Sequence, residues 1–285
     1  VDDLIRHFLK DLFNSLHFSK AEAWAIKTTR DAELDIDDDL SKSLVEKMSR
    51  SISQRKKGEY IRLNYDNSIP HHVLDLVLKR AKIKTIENIS PGGRYHNKKD
   101  LMAFPTMGRQ DLCWPQQQAV SHSAFHPEID IFSAIRSNDV LLHFPYHSFQ
   151  HTMDFLRQAA IDPDVKTIRI TLYRVSKNSQ VVNALINAAR NGKRVTALVE
   201  LQARFDEEHN IKITRQLTEA GVRVIPGVQG LKVHCKLILI SRRESGKTVR
   251  YVYAGTGNCS ERTAKVYTDH ALLTAHKEIG EEVRK

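Results

Sequence analysis

The stretch GLKVHCKLILISRRESGKTVRYVYAGTGN, residues 230–258, decides how this chain is read. Two apolar runs, LILI and VRYVYA, flank the polar turn ESGK, which predicts two strands in a tight hairpin. At the head of the first strand one imidazole, His234, stands between Lys232 and Lys236. Side chains two apart in a strand share a face. Lys236 is therefore expected beside His234, and Cys235 on the opposite face, in packing. Lysine charge disfavours protonation of a neighbouring imidazole, and a neutral ring nitrogen in positive surroundings suits attack on phosphate. After the second strand, the glycines of AGTGN let a backbone approach a phosphate closely, and Asn258 adds an amide donor.

Upstream, strands and helices alternate. NDVLLHFPY, VKTIRITLYRV, KRVTALVELQARF and VRVIPG read as strands; SFQHTMDFLRQAAID, SQVVNALINAARNG and EEHNIKITRQLTEAG read as helices, the last two stopped by Gly192 and Gly221. This rhythm predicts an α/β domain with a mixed, largely parallel sheet and right-handed crossovers. Ligands of such sheets bind beyond the carboxyl ends of the strands. Arg174 ends one of these strands and Arg204 another. Their planar guanidinium forks match pairs of phosphate oxygens, so the two together form an anion clamp. Downstream, VYTDH holds Tyr267 and Asp269. A carboxylate accepting from one ring nitrogen of His234 would fix its tautomer and free the other nitrogen. Asp269, Glu200 and Asp206 are the candidates, although Asp206 and Glu207 also read as helix-start acids.

The first part of the chain has a different grammar. Leu4, Ile5, Phe8, Leu9, Leu12, Phe13 and Leu16 recur at helical spacing over residues 2–17. AWAIKTTR reads as a strand leading into an acidic turn. Asp37 to Asp39 then open a helix through LSKSLVEKMSRSISQRK. GEYIRLNYD alternates as a strand, and Ser68-Ile69-Pro70 opens a helix through HHVLDLVLKRAK. Residues 103–128 break every periodicity and read as a connection or domain boundary. Two domains are expected: an α+β, head-like domain over residues 1–125 and an α/β domain over residues 126–285.

Composition bounds the function. Lysine and arginine number 44 against 34 acidic residues, a formal charge of +10. That excess fits either a solvated basic surface or a polyanionic partner: nucleic acid, anionic lipid or phosphate chains. The three cysteines, Cys113, Cys235 and Cys259, are far apart, which points away from a disulfide framework and towards a reducing cytoplasm. His122 and His126 read as exposed linker histidines, not a metal site, since Pro127 stops a helix from running past them. No segment approaches the run of about 20 apolar residues that crosses a bilayer. The start, VDDLIRHFLKDLF, mixes charge with apolar residues and lacks an initiating Met, so an internal piece of a longer protein without a signal peptide is expected.

HxK followed by GxxN on the next strand resembles the phospholipase D superfamily, with one departure. The aspartate usual five residues after the lysine is Ser241, which argues against a phosphodiesterase. The longer motifs IFSAIRSNDVLLHFPYHSF, TLYR, VELQARFDEEHNI, GLKVHCKLILI, YVYAGTGN and TAKVYTD, with PGGRYHNKKDLMAFP in the first part, resemble the polyphosphate kinases of the first type. Cys259 stands where an aromatic residue is expected. This resemblance implies a phospholipase D-like catalytic domain and reversible transfer of the ATP γ-phosphate to polyphosphate through a phosphohistidine on His234. It implies Mg²⁺ near Arg174 and Arg204, held mainly by phosphate oxygens because a guanidinium cannot ligate a cation. The reading of the residues puts Lys236 and Asp269 in the catalytic set and Lys232 and Asn258 on phosphate, and the resemblance places Tyr267 on the nucleotide. ATP or ADP and inorganic polyphosphate are the implied partners, with a homo-oligomer and no nucleic acid. The implied setting is cytoplasmic, with possible peripheral attachment to the inner membrane face. A second catalytic half with its own histidine is missing, so poor turnover by this piece alone is expected. The competing readings are a phosphodiesterase or nuclease of the same superfamily, and a polyanion-binding module without chemistry.

Overall fold

A computed structural model describes residues 1–30, 45, 46, 48, 49, 52, 60–83, 88–115, 117–126, 129–203, 206–228 and 231–285. The chain divides into two compact units, one of Val1–Ile36 with Arg50–Trp114, the other of Asp37–Ser49 with Pro115–Lys285. Part of the expected connection belongs to the second unit for a physical reason. Val120 N donates to Tyr146 O, Ser148 N donates to Val120 O, and His122 N donates to Nε2 of His151. His122 is thus half-buried and hydrogen-bonded, not the exposed linker histidine its sequence context suggests.

In the first unit, helices α1 (Asp2–His7) and α2 (Leu9–Leu12) replace the single helix expected over residues 2–17. The break falls at Phe8, and neither helix buries a residue. Without burial of its apolar stripe a helix this short has little to hold it beyond propensity. Strands β1 (Ile26–Arg30), β2 (Tyr60–Asp66) and β3 (Ile89–Gly92) form a sheet in that order, antiparallel then parallel. Helix α3 (His71–Ala81) follows Pro70 as expected and ends at Lys82 in the left-handed region. Leu63, Ile69 and Leu74 are the buried centre of this unit, with Trp24 and Val77 packed against them. The acidic turn and the helix expected from Asp37 onward lie largely outside the described residues.

The second unit holds β4 (Val140–Phe144), β5 (Val165–Leu172), β6 (Arg194–Val199), β7 (Arg223–Pro226), β8 (Lys236–Glu244), β9 (Lys247–Gly255) and β10 (Asp269–Thr274). Its helices are α4 (Ile131–Ser137), α5 (Gln150–Ile161), α6 (Gln180–Arg190), α7 (Glu207–Glu219) and α8 (Lys277–Arg284). Side chains cap two of them: Asp130 accepts from Phe132 N and Ser133 N before α4, and Ser179 accepts from Val181 N before α6. The β8–β9 hairpin closes through Ser245 and Gly246, both at positive φ, the conformation of a tight two-residue turn. Among the described residues no helix is long and apolar enough to cross a membrane.

The seven-stranded sheet runs β4-β10-β9-β8-β5-β6-β7. The architecture is α/β with a mixed sheet, but the expectation that it is largely parallel is wrong. Only β5–β6 and β6–β7 are parallel; the other four pairings are antiparallel. The strand–helix–strand rhythm from β4 to β5 suggested neighbours, yet three later strands fill the space between them. Following these directions across the sheet, β4, β5, β6, β7 and β9 end at one edge, where β8 and β10 begin. That edge gathers the motifs.

Candidate active site

The register brings the motifs together. Lys236 pairs with Gly255, Gly255 with Ala271, and Asp269 with Phe144, all at the edge where β5 ends at Leu172 and β6 at Val199. The ladder between β5 and β8 stops at Ile170 opposite Ile238. Beyond it the Thr171 hydroxyl takes over: it accepts from Leu237 N at 2.9 Å and donates to Cys235 O at 2.8 Å. The backbone before Lys236 is thereby tied by a side chain and leaves the pleat.

Departure from the pleat changes what each residue of VHCK does. His234 and Cys235 are both exposed, whereas Lys236 is 6 % exposed and its ammonium donates to the His234 carbonyl oxygen. Cys235 is therefore not packed inside, as strict alternation predicted. His234 and Lys236 still share a neighbour, Tyr173. Its ring stands edge-on to the imidazole at 4.8 Å between centroids, and the Lys236 ammonium lies 5.3 Å from the same ring centre. Burial pulls the Lys236 pKa below the ordinary lysine value, opposed in part by nearby acidic groups that include Asp269.

The three carboxylates considered as partners for His234 are engaged elsewhere. Glu200, 2 % exposed, accepts from Val233 N and Gln202 N, each at 2.7 Å. Asp206 pairs with Arg174 at 3.4 Å. Asp269 accepts from the Thr256 hydroxyl at 2.8 Å, and its carboxylate fills the space where a Cβ on Gly257 would sit. Among the described residues none of the three hydrogen-bonds to the imidazole. A glycine is required at position 257 because a Cβ there would come within 2.2 Å of an Asp269 oxygen.

Arg174 lies next to Tyr173, its guanidinium carbon 5.9 Å from that ring. Lys232 is exposed two residues before His234, and Tyr267 is 62 % exposed just before β10. Arg204 lies outside the described residues. The side-chain oxygen of Asn258 is buried with no partner among the described residues. Cys259 is buried, and burial pushes its thiol up to about 12, so it fills an apolar position and stays protonated. Residues 204 and 205 aside, the cationic and amide groups named from the motifs sit on segments that leave this one edge.

Residues 130–285 match the family description Polyphosphate kinase C-terminal domain 1, and residues 1–104 match Polyphosphate kinase middle domain. The chain belongs to the polyphosphate kinase family. It is 47 % identical over 285 residues to a polyphosphate kinase of Vibrio vulnificus, covering 100 % of this chain and 41 % of that protein. A polyphosphate kinase of Escherichia coli is 45 % identical over 288 residues, with 42 % of its length covered. The crystal structure of polyphosphate kinase from Porphyromonas gingivalis superposes with a TM-score of 0.73 at 31 % identity, covering 99 % of this chain and 40 % of that one. The chain thus spans about two fifths of the length of the polyphosphate kinases it matches.

Tyr173, Thr171 and Asn210 carry much of this candidate site's geometry and were not singled out from the sequence. For Asn210 a signal existed. Asn210, Thr214 and Leu217 fall on the inward face of an amphipathic helix, and all three are buried. An amide on such a face must find hydrogen-bond partners, and Asn210 finds the carbonyls of Tyr173 and Glu200, both at 2.8 Å. Tyr173 was visible only as part of a motif; its contact with His234 joins residues 61 apart in the chain.

Proposed function

We propose that this chain performs the phosphohistidine half of a polyphosphate kinase reaction, with ATP as donor and inorganic polyphosphate as acceptor. One observation carries the reading: the exposed imidazole of His234 stands with a buried ammonium and an aromatic ring at the edge where the arginine- and glycine-bearing loops meet. A ring nitrogen of neutral His234 attacks the γ-phosphorus. The N–P bond forms, the bond from the γ-phosphorus to the bridging oxygen breaks, and ADP leaves with that electron pair. A terminal oxygen of polyphosphate then attacks the phosphorus and releases the imidazole. Lys236, Arg174 and Arg204 offset the charge that gathers on the transferring oxygens. Lys232 and the Asn258 amide hold phosphate, and Tyr267 offers its exposed ring to the nucleotide. Asp269 acts on the Thr256–Gly257 segment and on Lys236, not on the imidazole.

The described residues fit phosphate better than a bare cation. They include no group of three or more His, Cys, Asp or Glu side chains able to hold a metal, and the ring that meets His234, Tyr173, is flanked by two cations, Lys236 and Arg174. Mg²⁺ accordingly enters this reading as an ion whose ligands are phosphate oxygens, with Arg174 and Arg204 as neighbours. Assembly as a homo-oligomer and a cytoplasmic setting complete the proposal.

Incubation of the intact protein with γ-labelled ATP and Mg²⁺ tests it. The expected label is acid-labile, base-stable, lost in His234→Ala and discharged into ADP or polyphosphate. Cleavage of a phosphodiester without ATP, or a label that survives His234→Ala, would overturn the reading.

A further inference from the structure

Glu200 is a buried carboxylate with no role in the chemistry above, and among the described residues it makes no hydrogen bond to the His234 ring. It touches what holds His234. One oxygen accepts from Val233 N, the residue just before the imidazole, and the other accepts from Gln202 N in the loop after β6, each at 2.7 Å. The backbone oxygen of Glu200 accepts from the Asn210 amide, which also donates to the backbone oxygen of Tyr173, both at 2.8 Å. Those two carbonyls leave the Asn210 side chain only one orientation, nitrogen inward. Glu200 and Asn210 are 2 % and 0 % exposed, so water does not compete for these bonds.

We infer that Glu200 and Asn210 form a buried brace that positions His234 against Tyr173 and Lys236, with Glu200 as its charged member. The inference rests on the reading of His234 as the phosphorylated residue. Its physical content is that three loops have no continuous ladder to align them here. The pairing of β8 with β5 has stopped at Ile170, and the segment carrying His234 is out of the pleat. A carboxylate accepts two N–H groups at once and does so more strongly than a neutral acceptor. That choice ties the approach to His234 to the end of β6, and Asn210 ties both to the end of β5. The brace matches its purpose, since a nucleophile misplaced by about 1 Å loses about 100-fold in rate.

Single-turnover labelling of the intact protein from γ-labelled ATP separates this role from a general contribution to folding. Glu200→Ala is expected to lower the labelling rate constant about 100-fold, and Glu200→Gln, which still accepts one N–H, about tenfold. The ATP concentration for half-maximal rate should stay within about twofold, because Glu200 is not among the groups that contact ATP. A residue that merely stabilises the fold would lower the fraction of labelled molecules and leave the rate constant of the folded ones intact. Glu200→Gln preserves shape and decides the matter should Glu200→Ala not fold. A wild-type rate constant in folded Glu200→Gln protein overturns the brace while leaving phosphorylation of His234 standing. A wild-type protein that takes no label on His234 overturns the reading beneath it instead.

Discussion

Two groups of imidazoles lie at the same edge of the seven-stranded sheet and are held in opposite ways. His122, His143, His147, His151 and His270 form a packed chain. His143 stacks on His270 at 4.4 Å, and His122 meets His147 at 4.9 Å. Three of the five commit a ring nitrogen to the backbone: Nδ1 of His147 accepts from His143 N, Nε2 of His151 from His122 N, and Nδ1 of His122 from Ala124 N. Burial holds the pKa of both His147 and His151 below the ordinary imidazole value. His234 is exposed, its ring meets Tyr173, and neither ring nitrogen has a hydrogen-bond partner among the described residues. In His122, His147 and His151 a lone pair already accepts a backbone proton and the ring is scaffold, whereas His234, exposed beside Tyr173 and Lys236, keeps its nitrogens uncommitted for bond formation. Residue type is the same in both groups, and the surroundings assign the work.

Substitutions can break this contrast. The largest effect belongs to His234→Ala, which should abolish covalent labelling, whereas His151→Gln should label at the wild-type rate constant per folded molecule. Lys236→Met comes next. Loss of one charge-stabilising donor should slow labelling about 100- to 1000-fold, measured as the single-turnover rate constant. The same variant tests the burial of the ammonium. Since the folded pKa lies below the unfolded value of 10.5, the unfolded chain binds more protons between the two. Wild-type stability should therefore carry a component that rises as pH climbs through that window, and Lys236→Met should lack it in denaturant titrations.

Smaller effects sharpen the comparison. Tyr173→Ala removes the edge-on ring contact, worth about 0.5–1.5 kcal/mol, and should slow labelling by up to about tenfold, whereas Tyr173→Phe keeps the ring and should stay close to wild type. On the scaffold side, His151→Leu deletes the acceptor for His122 N and should cost about 1–3 kcal/mol of stability by chemical unfolding. Acid adds to this. The folded-state pKa of His151 is depressed below 6.5, by burial first and then against the pull of Asp154. As pH falls through 6.5 the unfolded chain takes up a proton that the folded one resists, so stability falls with acid. His151→Gln retains an acceptor without titrating, and its stability should fall less steeply over the same range.

Much of the fold could be read from local pattern. The alternation in VKTIRITL, the helical stripe in SQVVNALINAAR and the turn ESGK each encode their own element, because burial of one face and turn chemistry act over a few residues. The HxK motif, the glycines of AGTGN and the arginine of TLYR were legible for the same reason: their chemistry depends on type and spacing. The apolar stripe at Leu4, Phe8 and Leu12 shows where such reading fails, since periodicity states what a helix could bury and not whether the folded unit covers it. The orienting carboxylate was misjudged similarly. Asp269, Glu200 and Asp206 were all candidates by type, Asp206 also as a helix-start acid, and only their positions send them to Thr256, Val233 and Arg174.

By itself the sequence determined the elements, the hairpin that carries His234 and the cationic character of the residues around it, because these follow from short-range sterics, hydrophobic period and charge. Tertiary structure decided the strand order, which made the expected mixed sheet mostly antiparallel where a largely parallel one was expected. It also decided that the imidazole is exposed while the lysine two residues on is buried. The physical reason is that pairing and burial beyond a strand's end depend on groups distant in the chain. Here they are the hydroxyl of Thr171, the carboxylate of Glu200 and the amide of Asn210, and no local periodicity records where those meet.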